Sequence, residues 1–90
     1  MIFPKKLKIG GQTIAVLRGK ILDDPDLDFG WSKIETNQIF IATDIPEDRQ
    51  IETFIHEILH CINNYIPERE IDYLSSALYQ VLKDNDLLKL

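Results

Sequence analysis

Thr53-Phe54-Ile55-His56-Glu57-Ile58-Leu59-His60-Cys61 is the stretch on which the reading of the chain turns. It contains His56-Glu57-x-x-His60, the H-E-x-x-H pattern that zinc-dependent hydrolases carry on a helix. Residues four apart on a helix lie one above the other, with Cβ atoms about 5–6 Å apart. Two imidazoles so placed can converge on one ion through Zn–N bonds of about 2.0–2.1 Å. Glu57 is one step round the helix. It is out of line for a third ligand but within reach of a water at the ion, which is where a general base acts. The plainer alternative is two polar residues on the wet face of an amphipathic helix, and the surrounding sequence has to decide between them.

That sequence predicts a helix. Ile51, Phe54, Ile55, Ile58, Leu59 and Ile62 follow the i, i+3, i+4, i+7 spacing of one buried face. Asp44-Ile45-Pro46-Glu47 reads as its start, with Asp44 as the cap, Pro46 in the first turn and Glu47 three residues after the cap. Asn63-Asn64 and Pro67 mark its end. At about 100° per residue, His56 and His60 lie away from the centre of the apolar stripe, so they face solvent or a cleft rather than the core.

The chain outside this helix sets the fold class. Ninety residues make one small domain, here 1–90, that buries about 60–65% of its unfolded surface. A bound metal would add to so thin a core. Hydrophobic residues at 44% and charged residues at 28% are ordinary for a soluble domain. A net charge of −5 without a basic block argues against nucleic acid as the main partner. The single cysteine excludes an internal disulfide framework and fits a reducing cytoplasm. The N-terminus lacks a long apolar core followed by a small-residue cleavage site, so no signal peptide is expected. No apolar run approaches the ~20 residues of a membrane span.

In chain order, Lys6–Ile9 and Gln12–Arg18 read as strands joined at Gly10-Gly11, a hairpin turn rather than a phosphate loop. The acidic run Asp23–Phe29 invites a calcium reading through Asp24, Asp26 and Asp28, with Glu35 in twelfth place. Pro25 intrudes, however, and Phe29 stands where an EF-hand loop needs glycine, so a solvated loop is expected. Gly30–Ile34 and Gln38–Ala42 form a second hairpin around Glu35-Thr36-Asn37, with Trp31 in core or rim packing. A second helix follows Pro67, with an apolar face of Ile71, Leu74, Ala77 or Leu78, Val81 and Leu82, and a C-cap at Asn85. Leu87, Leu88 and Leu90 fold back on the core or fray. The expected fold is α+β: a small antiparallel sheet of three or four strands packed on two long helices.

A catalytic zinc takes three protein ligands and a water. Two helices joined by a short turn lie antiparallel, so the start of the second faces the end of the first. Mirrored about Asn64, His60 falls opposite Glu68 and His56 opposite Asp72. Glu68, Glu70 and Asp72 are all in range. Asp72 points furthest from the apolar stripe, toward solvent, while Glu68 and Glu70 flank the stripe on opposite sides. Glu68 is the first candidate and Glu70 the second. Acidic residues are also common in a first helical turn for reasons of the helix dipole alone. Cys61, turned about 100° from His60, is expected to be a small buried residue rather than a ligand. Tyr65 and Tyr73 are weak candidates to stabilise an oxyanion, and Tyr79 is expected to pack.

The run Gly30…Gln38-Ile39-Phe40-Ile41…Asp44-Ile45-Pro46…Arg49-Gln50…Thr53 through His60, with the tail Leu74 to Asn85, resembles the small phage and prophage zincin-like proteins related to the ImmA/IrrE and SprT-like metallopeptidases. The resemblance covers residues 30–85. It implies a minimal zincin-like fold with a gluzincin-type site, in which His56 and His60 bind zinc and Glu57 is the base. The third ligand is then an acidic residue of the next helix, best matched by Glu68. It also implies that the strand at residues 38–42 lies beside the site helix and pairs with an extended peptide or protein substrate. Imidazole and carboxylate suit several divalent ions besides zinc. The reading of a different class is a catalytically silent zincin-like module that binds a protein partner, with a structural metal or none. A helical hairpin for oligomerisation, indifferent to chelators, is a third.

Overall fold

The computed structural model describes residues 3–21 and 28–88. The chain runs β1 (Lys6–Ile9), β2 (Gln12–Gly19), β3 (Gly30–Lys33), β4 (Gln38–Ala42), α1 (Glu47–Ile62) and α2 (Glu68–Asp84). This is an α+β arrangement of one four-stranded sheet and two helices. Gly10 and Gly11 both take positive φ, 56° and 83°, which closes the β1–β2 hairpin in the hand that matches strand twist. Asn37, at φ 52°, does the same before β4. Asp24 and Asp26 of the calcium reading lie outside the described residues, as does Leu90.

The sheet is mixed, not wholly antiparallel. Its order is β1-β2-β4-β3, with β2 and β4 parallel through Ala15↔Gln38 to Gly19↔Ala42. A parallel pair needs a long crossover, and the segment carrying β3 supplies it. The two most apolar strands thereby occupy the centre. Ile14, Val16, Ile39 and Ile41 meet Phe54 of α1 in the core, with Phe3, Leu7, Ile9, Ile58 and Cys61 packed around them. Cys61 is half-buried there. Because β4 is paired on both sides, its backbone is not available to a substrate strand. The free edge beside α1 belongs to β3.

The start of α1 also differs from the expected cap. Pro46 holds the N-cap position and no side chain caps it. The Asp44 carboxylate instead accepts the Ile21 amide, at 2.9 and 3.0 Å to its two oxygens, and so ties the end of β4 to the end of β2. Gln50 donates to the Ile45 carbonyl at 2.8 Å and fastens the first turn of α1 to the segment before it. At Gly30 a Cβ would lie 2.6 Å from both the Phe40 carbonyl oxygen and Thr53 Cγ2. Glycine here allows α1 to lie close against β3.

α1 ends at Asn63, whose side chain accepts the Tyr65 amide at 3.0 Å, and Pro67 opens α2. α2 packs on α1, burying Ile71 and Ser75. Asn85 is its C-cap as expected, and Asp86 at φ 56° lets the Leu87 amide return to the Leu82 carbonyl at 2.8 Å. No helix among the described residues is long and apolar enough to cross a membrane.

Candidate metal centre

α1 presents His56 and His60 on the side facing α2, where both imidazoles are largely covered, at 16% and 15% exposure. Their Nε2 atoms stand 3.2 Å apart. Two Zn–N bonds of about 2.0–2.1 Å meeting at a tetrahedral angle span about 3.3 Å, so the pair is spaced for one ion. The antiparallel α2 brings its first residue, Glu68, across both rings. Glu68 Oε1 is 2.7 Å from His56 Nε2, and Oε2 is 2.9 Å from His60 Nε2. Two imidazole nitrogens and one carboxylate are thus brought together beside the cleft, a donor set that would suit a zinc ion.

Burial of Ile71 and Ser75 against α1 fixes the rotation of α2. Glu68 falls on the near side. Glu70 falls on the far side, where it borders a separate depression with Arg69, Tyr73 and Leu74. Asp72, one turn after Glu68, does not point to solvent alone as the sequence suggests. Its Oδ1 lies 3.1 Å from His56 Nδ1. A carboxylate at Nδ1 orients the ring, with Nε2 turned toward Glu68 and His60.

Glu57 is 6% exposed, a buried carboxylate on the β3 side of the histidines. Its oxygen and the ring nitrogens of His56 and His60 lie within 4.8 Å of one another. Burial pushes its carboxyl above the usual glutamate value, against the opposing pull of His56, a hydrogen bond from Ser32, and His60. Ser32 belongs to the edge strand β3, and the sequence carries no local signal for its contact with Glu57. The Ser75 hydroxyl is satisfied within α2 by the Asp72 carbonyl at 3.1 Å.

These groups line a cleft of about 840 Å³. Gly30, Trp31 and Ser32 form one wall, Thr53, His56, Glu57 and His60 the floor, and Glu68, Asp72 and Ser76 the other wall. Glu52 is held across the cleft by the Ser76 hydroxyl. Tyr65 and Tyr73 are outside it, at 96% and 74% exposure. Tyr79 donates to Asp48 at 2.5 Å and joins the far ends of the two helices. Comparison with family models, with curated proteins and with solved structures gives no match for this chain.

Proposed function

We propose that the chain is a zinc-dependent peptidase of the small zincin-like type, with His56, His60 and Glu68 as metal ligands and Glu57 as general base. One observation carries the reading: a single carboxylate, Glu68, bridges the Nε2 atoms of two histidines spaced for one ion, beside a buried glutamate. Zinc held there supplies Lewis acidity, polarising a carbonyl and bringing the pKa of a water to about 7.

The protein's own groups do the rest. Glu57 accepts the proton of the attacking water and delivers it to the departing amine nitrogen, so that the C–N bond breaks to a carboxylate and an amine. Its burial raises its basicity for that task, and Ser32 keeps its carboxylate aimed. Asp72 holds the His56 ring in register. The free edge of β3, Gly30–Lys33, offers backbone groups to an extended peptide lying in the cleft.

The test begins with metal content of protein purified without added metal, wild type beside His60→Ala. About one zinc per chain in the first and little in the second is expected. A peptide-library digest follows, in which Glu57→Gln keeps its zinc and loses turnover. Wild-type protein that takes up no zinc, with a fold indifferent to it, would sink the enzyme reading and leave a binding module.

A further inference from the structure

Side chains alternate across a strand, and the register fixes which of them lie on the sheet face turned away from α1. Leu17, Phe40 and Trp31 are cross-strand neighbours in one row on that face. Lys6, Lys8 and Lys33 are on the same face. α1 covers the opposite face and α2 packs on α1, so among the described residues no helix or strand covers the row. A sheet with one wet face ordinarily turns polar residues outward. Here Leu17 is 39% exposed, and Trp31 and Phe40 are half-buried. An apolar strip rimmed by polar groups marks an interaction site.

Charge and ring geometry narrow the occupant. The first 22 residues contain Lys5, Lys6, Lys8, Arg18 and Lys20 and no acidic residue, in a chain of net charge −5. A second copy placed by a twofold axis would set these lysines against themselves. A nucleic-acid base needs an open ring face. Trp31 and Phe40 are stacked on each other across neighbouring strands, with centroids 5.5 Å apart and planes at 16°. The Lys33 ammonium lies over the Trp31 ring at 4.6 Å. Phe40 and Lys33 thus compete with a base for the Trp31 ring, and the Leu17 methyls complete the row.

We propose that this face docks an acidic polypeptide segment, whose apolar side chains lie on the Leu17–Phe40–Trp31 row while its carboxylates meet Lys6, Lys8 and Lys33. The row lies on the sheet face turned away from α1 and the metal centre, and of its three residues Trp31, on the edge strand, also borders the metal cleft.

Trp31 is the chain's one tryptophan, so its emission reports on this face. The probe is a short synthetic peptide alternating glutamate with leucine. A saturable change in emission is expected, weakened about tenfold or more by raised salt or by the Lys6→Glu/Lys8→Glu/Lys33→Glu variant. That variant touches no core residue, and an unchanged circular dichroism melt verifies its fold. Leu17→Ser is expected to weaken binding while leaving the salt dependence in place. The proposal is overturned by equal binding of the matching lysine–leucine peptide, or by full binding to the lysine variant. It is also overturned if oligo-dT changes the emission and the acidic peptide does not, or if the emission follows protein concentration through self-association.

Discussion

Asp72 provides the sharpest test of the proposed metal centre, because there it is not a ligand and acts through His56. Its Oδ1 lies 3.1 Å from His56 Nδ1, on a side chain 65% exposed. Hydrogen bonds with a charged partner contribute about 1.5–3 kcal/mol and neutral ones about 0.5–1.5. Exposure places this one at the low end of its range. Asp72→Asn keeps an acceptor and loses the charge, and about 1 kcal/mol corresponds to a roughly fivefold weaker zinc affinity. Asp72→Ala loses both, and a weakening of about 10–100-fold is expected, as for other carboxylates behind a ligating histidine. Glu70→Gln removes the same charge two residues away, on the far side of α2, and is expected to leave affinity unchanged. The assay is competition for zinc against a chromogenic chelator, with melting curves to verify each fold. An Asp72→Ala protein that binds zinc as tightly as wild type, or a Glu70→Gln protein as impaired as Asp72→Ala, would refute the arrangement.

Gly30→Ala is expected to lower stability by about 1–3 kcal/mol, since its methyl meets backbone and Thr53 at distances nothing can relieve cheaply. A thermal melt within about 2 °C of wild type would contradict the close approach of α1 to β3. Asp48 is held below the usual carboxylate range by the Tyr79 hydroxyl and by Lys83. A depressed folded-state pKa gives stability that is present above the unfolded-state value of about 3.9 and is lost as pH falls through the lower folded-state one. The melting-temperature gap between wild type and Asp48→Asn should therefore shrink on acidification below about pH 4, and a gap constant with pH would count against the pairing. Burial, aided by the charge of Glu57, raises the Cys61 thiol. Iodoacetamide at about pH 8 should alkylate it severalfold more slowly than in the denatured chain, and equal rates by mass spectrometry would contradict its packing.

What could be read from the sequence was local. The two hairpins follow from Gly10-Gly11 and Asn37, and the helix limits from Asn63, Pro67 and Asn85, because turn chemistry acts within a few residues. The parallel seam between β2 and β4 was not legible, since apolar alternation fits either strand direction. Asp44 looked like a cap because its true partner, the Ile21 amide, is 23 residues away. Ser32 was missed for a similar reason: it acts on Glu57 across the gap between β3 and α1. Glu68 and Glu70 could not be separated until the packing of Ile71 and Ser75 set how α2 is turned. Asp72 had a usable signal. It stands four residues after Glu68, the same step that separates His56 from His60. Mirroring about Asn64 also sets it opposite His56, and only the apolar stripe of its own helix turned it toward solvent.

The way α2 is attached has a consequence for motion. Among the described residues it rests chiefly on α1. Beyond Ile71 and Ser75, it is tied through Glu68 and Asp72 to the histidines at one end and through Tyr79 and Lys83 to Asp48 at the other. A helix packed chiefly on a single neighbour opens as a separate unit, at a lower free energy than the central strands. In hydrogen exchange, the amides of Glu68–Asp84 should therefore exchange together and ahead of those of β4. On the proposed reading zinc should slow them selectively, because an ion shared between His56, His60 and Glu68 would rivet one helix to the other. Loading the site would thus also set how long the cleft stays assembled.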